Sequence, residues 1–170
     1  MSTVLLSRLT PDTRAKAEEF LAAAEGLGYE VRVVSTLRTC AEQAALYELG
    51  RTKPGKVVTN ARGCTSWHVL GRAFDITITK PARPAWSDWR RLGELGESLG
   101  FVWGGRFKGL VDGPHYEWHP GKRIEDFCQD PNDCKGAVAR SFAWSPDGKE
   151  PWERTETPLD DPSWGGNSLG

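Results

Sequence analysis

His68 and Asp75 lie within Ser66-Trp67-His68-Val69-Leu70-Gly71-Arg72-Ala73-Phe74-Asp75, and His115 lies within Val111-Asp112-Gly113-Pro114-His115-Tyr116-Glu117. A turn at Gly71 would return the His68 imidazole toward the Asp75 carboxylate. Two neutral imidazoles and a carboxylate suit zinc, which takes nitrogen and oxygen ligands at roughly 2.0–2.2 Å. Three protein ligands leave a fourth position for water, as a catalytic site requires. Asp112 precedes His115 across a Gly-Pro turn, where it could take a proton from that water. A plainer reading stands beside this one. His-x-x-Gly alone is a weak signal, most aspartates serve surfaces or caps, and a structural metal site normally has four ligands, often thiolates. The chain has 3 His, and two of them sit beside acids and tight turns.

The elements around these residues follow from pattern. Thr10-Pro11 opens a helix to about Leu27, with Ala15, Phe20, Leu21, Ala24 and Leu27 at near-helical spacing, stopped by Gly28. Glu30 to Thr36 alternates as a strand. Thr39-Cys40-Ala41-Glu42 is a capping box that starts a second helix ending at Gly50. Residues 51–65 form a loop. Arg72 to Thr79 is a strand with Ala73, Asp75 and Thr77 on one face and Phe74, Ile76 and Ile78 on the other. Ser87 to Leu99 is a third helix, closed by Gly100. Phe101-Val102-Trp103 and His115-Tyr116-Glu117-Trp118 are short strands, and residues 122–128 a short helix. The expected fold is α+β, a small antiparallel sheet flanked by helices. Residues 1–140 form the domain. Residues 141–170, with Trp144, Trp152 and Trp164 among Pro, Gly, Asp and Ser, read as a C-terminal tail, disordered or laid extended over it.

Composition narrows the function. A chain of 170 residues suits one domain and buries a real core unaided. A net charge of −1 offers no basic field for nucleic acid or an anionic membrane. No apolar stretch approaches the ~18–20 residues of a membrane span. The first eight residues, Met1 to Arg8, do not read as a secretory leader. The expected location is therefore the cytoplasm at synthesis, with delivery needed if the substrate lies outside. Cys40, Cys64, Cys128 and Cys134 form no CxxC pair. Cys128 and Cys134 could close a small loop in an oxidising compartment, but free thiols fit better with the missing leader. The 8 Trp suit saccharide or peptide surfaces, or simple core packing.

The run Ser66-x-His68-x-x-Gly71-x-Ala73-x-Asp75 resembles the signature of the D-alanyl-D-alanine carboxypeptidase family of zinc peptidases, which includes the L-alanyl-D-glutamate endopeptidases found among phage endolysins. Asp112-Gly113-Pro114-His115 resembles its second motif. Ser35-Thr36-Leu37-Arg38-Thr39, followed by Gln43 and Leu46-Tyr47, resembles its arginine motif, and together the three span about residues 10–120. The resemblance implies the hedgehog/DD-peptidase fold, Zn2+ on His68, Asp75 and His115, Asp112 as acid/base, and Arg38 as oxyanion or substrate contact. Ser66 corresponds to a residue near the substrate. Tyr116 is a candidate substrate contact. His119 is a substrate contact or a group behind the metal ligands, Glu117 a supporting or surface carboxylate, and Gln43 a weaker candidate that otherwise belongs to a solvated helix face. The implied reaction is hydrolysis of peptidoglycan stem peptides by a monomer, as an L-alanyl-D-glutamate endopeptidase. The alternatives are a D-alanyl-D-alanine carboxypeptidase, or a non-catalytic zinc-containing binding module of the same fold. A cysteine peptidase is the weaker enzyme reading.

Overall fold

The computed structural model describes residues 5–128 and 136–146. Helix α1 is Pro11–Gly26, strand β1 Glu30–Ser35, helix α2 Cys40–Glu48, strand β2 Ala73–Lys80, helix α3 Trp86–Ser98, strand β3 Val102–Trp103, strand β4 His115–Glu117 and helix α4 Ala137–Ala143. The strands form one antiparallel sheet in the order β1-β2-β4-β3. The expected α+β class with a small antiparallel sheet is what forms.

α1 and α3 cover one face of the sheet. α1 begins with Pro11, whose missing N–H is no loss in the first turn. Its buried side is Thr13, Ala17, Phe20 and Ala24. Ala15 and Leu27, counted by sequence on the apolar stripe, are exposed; the helical register turns them to solvent. Phe20 meets Phe74, Phe101 and Tyr116 at ring-centroid distances of 4.8–6.2 Å. Each such fully buried aromatic stabilises the fold by roughly 1.5–3 kcal/mol. α3 approaches the sheet through glycine: a Cβ on Gly93 would stand 2.2 Å from Trp103, and one on Gly96 2.6 Å from Tyr116.

β2 divides the molecule by its alternation. Phe74, Ile76 and Ile78 enter this core, and Asp75 turns to the opposite face. On that opposite side lies a smaller apolar cluster of Cys64, Trp67, Leu70, Ala73, Phe127, Cys128 and Ala137. α4 closes it. This helix runs across the position where the sequence pattern places the start of the tail, and Ser141 is fully buried within it. Ser141 accepts from Arg72 Nε at 2.8 Å and donates to Leu70 O at 2.8 Å. Residues 147–170, with Trp152 and Trp164, lie outside the described residues. The 122–128 segment makes only a 3-10 turn, Ile124–Asp126, rather than a helix.

The free-thiol reading is corrected. Cys40 and Cys64 are joined by a disulfide across 24 residues, and Cys128 is also disulfide-bonded. Cys134 lies outside the described residues. The Cys40–Cys64 bond ties the first residue of α2 to the loop that leads into Ser66 and His68. No helix among the described residues is long and apolar enough to cross a membrane.

Candidate metal centre

Strand register brings two of the three candidate ligands together. In the antiparallel pair β2/β4, Asp75 lies directly opposite His115, and in β1/β2 Ser35 lies opposite Asp75. Directly opposed residues project to the same face with Cβ atoms about 4.5–5.5 Å apart. His68 arrives from the loop before β2. There the turn Trp67–Arg72 is closed by Gly71 N–H donating to His68 O and Arg72 N–H to Trp67 O, with Gly71 at φ 67°. Only glycine adopts that conformation without strain. A Cβ there would also strike the Phe142 ring at 2.7 Å.

The donor atoms are His68 Nε2, His115 Nδ1 and Asp75 Oδ1. His68 Nε2 is 3.2 Å from Asp75 Oδ1 and 3.2 Å from His115 Nδ1, and His115 Nδ1 is 2.9 Å from Asp75 Oδ1. The outer nitrogens are already committed: His68 Nδ1 donates to Thr36 O at 2.5 Å, and His115 Nε2 donates to Glu117 Oε1 at 2.9 Å. In the neutral tautomer that keeps these outer bonds, each imidazole would turn its unprotonated nitrogen inward, as a metal ligand needs. Ligand atoms of the three residues lie within 4.8 Å of one another, and two imidazole nitrogens with a carboxylate oxygen fit zinc in type and number.

Electrostatics agree with a site built to hold a cation. Asp75 is pulled well below the usual carboxylate range: burial pushes it up, and hydrogen bonds from His115 and His68 outweigh that. Burial pushes His68 down. Burial acts the same way on His115, but Asp75 and Glu117 overcome it and raise the imidazole to about 9. Two carboxylates thus stabilise positive charge at His115.

Arg38 sits at the rim. Its guanidinium reaches Asp75 Oδ2 at 2.5 Å and Ser35 Oγ at 2.9 Å, with Gln43 Oε1 at 3.4 Å. It grips the ligand oxygen's partner, so its first effect is to orient Asp75. Gln43 is only 1% exposed, against the solvated-face alternative. Its amide donates to Thr59 Oγ1 and Ala61 O, both at 3.1 Å, which fastens the 51–65 loop beside the site.

The ligands open into a cleft of about 490 Å³ whose lining includes Ser66, Trp67, Phe107, Lys108 and Asp112. Asp112 is placed by a tight turn: its N–H donates to Gly104 O at 2.9 Å, and the Trp103 indole N–H donates to Gly113 O at 2.8 Å. A Cβ on Gly104 would lie 2.5 Å from Asp112 O, so the approach requires glycine. Burial raises the Asp112 carboxyl above its ordinary value, with Asp75 adding to the effect against His115 and His68. No hydrogen bond to the Asp112 carboxylate arises among the described residues. Ser66 is buried, and its Oγ accepts from the His68 N–H at 3.3 Å.

Neither Tyr116 nor His119 lines the cleft. Tyr116 is fully buried and packs against Phe20, Phe74 and Phe101, because in β4 it faces opposite to His115. His119 does not line the cleft; it lies behind Glu117. Lys108, not singled out by spacing, does line it, and makes no ion pair among the described residues.

The family profile described as D-alanyl-D-alanine carboxypeptidase matches residues 59–118, the stretch that carries all three donor residues and Asp112. The peptidoglycan L-alanyl-D-glutamate endopeptidase CwlK of Bacillus subtilis strain 168 is 37% identical over 126 residues, covering 67% of this chain and 75% of its own length. The chain belongs to the D-alanyl-D-alanine carboxypeptidase family. A second family relative, the L-alanyl-D-glutamate peptidase of Listeria phage A118, is 30% identical over 119 residues; the match spans 67% of this chain but 39% of the phage protein. The family fold is seen again in the Serratia marcescens L-Ala D-Glu endopeptidase ChiX, with a TM-score of 0.51 at 23% identity, covering 69% of this chain and 86% of that one.

Proposed function

We propose that this chain is a zinc-dependent endopeptidase that cuts the L-alanyl–D-glutamyl bond of peptidoglycan stem peptides. The observation that carries the reading is the convergence of His68 Nε2, Asp75 Oδ1 and His115 Nδ1 beside a cleft lined by Asp112, whose carboxylate takes no hydrogen bond among the described residues. The identity to CwlK, an L-alanyl-D-glutamate endopeptidase by name, supports the choice of bond.

His68, Asp75 and His115 would hold the zinc, which when bound would supply a Lewis acid that polarises the scissile carbonyl and acidifies water. Asp112 accepts the proton of the attacking water and returns it to the departing amine. Its raised pKa suits that exchange, because a carboxylate nearer neutrality both takes and gives a proton more readily. Arg38 fixes Asp75 through Oδ2 and leaves Oδ1 to the metal. Ser66 braces the backbone at His68. Lys108, exposed on the cleft wall, offers its ammonium to a carboxylate of the acidic stem peptide.

The family description favours a second reading, removal of a terminal D-alanine. Digestion of purified sacculi separates them by mass spectrometry of the products. Endopeptidase action leaves L-alanine on the muramyl sugar and releases a peptide with a D-glutamyl amino terminus. Carboxypeptidase action releases free D-alanine alone, and that result would replace the proposal.

A further inference from the structure

His115 is held from behind as firmly as from the front. Its Nε2–H donates to Glu117 Oε1 at 2.9 Å, while Nδ1 faces Asp75. Glu117 follows His115 by two residues in β4, so both side chains leave the same face of the sheet. The second carboxylate oxygen, Glu117 Oε2, lies 3.1 Å from His119 Nε2. The other nitrogen of that ring, His119 Nδ1, lies 3.0 Å from Lys122 O. Both neighbours of His119, Glu117 Oε2 and Lys122 O, are acceptors. Its ring lies flat on the Trp67 indole, with centroids 4.0 Å apart and planes 3° from parallel. Trp67 is itself buried against Phe127 in the smaller apolar cluster. It also immediately precedes His68.

These contacts close a loop. The segment that delivers one imidazole donor presses, through Trp67, on the support of the other. The supports differ in kind: His68 leans on a backbone carbonyl, and His115 on a side-chain carboxylate that mutation can remove. A half-turn of the His115 ring about χ2 would put Cδ2 where Nδ1 stands and a carbon where Nε2 meets Glu117. The Glu117 contact opposes that turn.

We infer that Glu117, His119 and Trp67 form a positioning relay that holds His115 with Nδ1 toward the metal, making zinc affinity depend on a ring stacked outside the cleft. The inference rests on the reading of His115 as a zinc ligand. In it Glu117 is a positioning residue, with both oxygens engaged by imidazoles, and Asp112 alone of the two acids is left to move protons.

The test measures zinc affinity by competition with a chromogenic chelator, alongside thermal melting of the zinc-free protein. Outer partners of ligand histidines typically contribute 10–100-fold in affinity. Glu117→Ala should weaken zinc binding by about 10–100-fold. His119→Ala should weaken it less, by about ten-fold or under, because Glu117 remains. The double variant should be no weaker than Glu117→Ala alone, because His119 acts only through Glu117. Glu117→Gln should bind within a few-fold of the parent. Its amide oxygen still accepts from His115, and its amide N–H can donate to a His119 that keeps its bond to Lys122 O. That rescue distinguishes orientation from a general loss of stability, and it decides the matter if the alanine variant does not fold. Parent-like affinity in Glu117→Ala, strictly additive losses in the double variant, or a Glu117→Gln variant as weak as any alanine variant would each overturn the relay. His115→Ala in the same assay isolates the underlying assumption. If it binds zinc like the parent, the ligand assignment fails, whatever the other variants show.

Discussion

Removing the Ser141 hydroxyl should destabilise the domain out of proportion to its size. Ser141 lies in α4 and is fully buried, as is Arg72, one residue beyond the Gly71 turn that carries His68. The hydroxyl accepts from Arg72 Nε and donates to Leu70 O, each at 2.8 Å. Arg72 also donates to Ser141 O at 2.6 Å, Trp144 O at 3.0 Å and Asp12 Oδ2 at 2.8 Å, and stacks over Trp144 at 4.4 Å. Ser141→Ala leaves these in place but orphans one charged donor and one carbonyl in a dry interior. A hydrogen bond to a charged group contributes about 1.5–3 kcal/mol and a neutral one about 0.5–1.5, so the cost should be about 2–4 kcal/mol. For a chain of this size, about 2–4 °C per kcal/mol translates that to a melting temperature lower by roughly 5–15 °C. Urea unfolding gives the free energy directly, as a lower midpoint at unchanged slope. A loss under about 0.5 kcal/mol, the scatter of inert surface changes, would refute the view that α4 is latched to the motif turn. The same contacts bear on a cut near Ser141. Such a cut removes the partners that satisfy a buried guanidinium, and truncation before α4 should unfold the chain.

Other outcomes follow from the same geometry. Asp112→Asn should retain zinc and lower turnover on sacculi by about 10²–10⁴-fold, the usual share of a positioned acid/base, checked by metal content and rate on one preparation. Lys108→Ala should raise KM on stem peptides with little change in kcat, and a matched fall in kcat would remove Lys108 from substrate binding. Reducing the Cys40–Cys64 bond, which closes a 24-residue separation, should cost about 3 kcal/mol in unfolding experiments on the loop-entropy estimate. The Glu42 carboxylate is held below its ordinary 4.5 by the Thr39 N–H and hydroxyl of the capping box. A depressed folded pKa stabilises above the unfolded value, and that contribution fades as pH falls through the folded one. Glu42→Ala should therefore be less stable than the parent at pH 7, and the gap should close below pH ~4 in chemical denaturation.

The grouping of His68, Asp75 and His115 was legible because two of the three lie in one short motif with a turn-forming glycine between them, and the third sits beside a Gly-Pro turn. The capping box at Thr39 and the two-faced alternation of β2 were equally plain, since both are local. What escaped was whatever depends on contacts between distant segments. The direct pairing of Asp75 with His115 is a matter of strand register. Tyr116 was misplaced because a three-residue strand has too few positions for alternation to declare which face is buried. His119 was read as a substrate contact or a group behind the metal ligands; its contact with Glu117 and its stacking on Trp67, 52 positions earlier in the chain, fit the second. Cys40 and Cys64 carry no spacing signature for each other. α4 is seven residues long, with Ala137 and Ser141 as its buried positions, too short for an apolar period to stand out from the segment that follows.

The most direct test of the account is a zinc titration of the metal-free protein with cleavage of purified sacculi as the readout. If His68, Asp75 and His115 form the one site that cleavage needs, activity should rise linearly and level at one zinc per chain, with new D-glutamyl amino termini appearing in proportion. His115→Ala should then stay inactive at the same zinc. Full cleavage by the metal-free protein, or by His115→Ala at one equivalent, would contradict it.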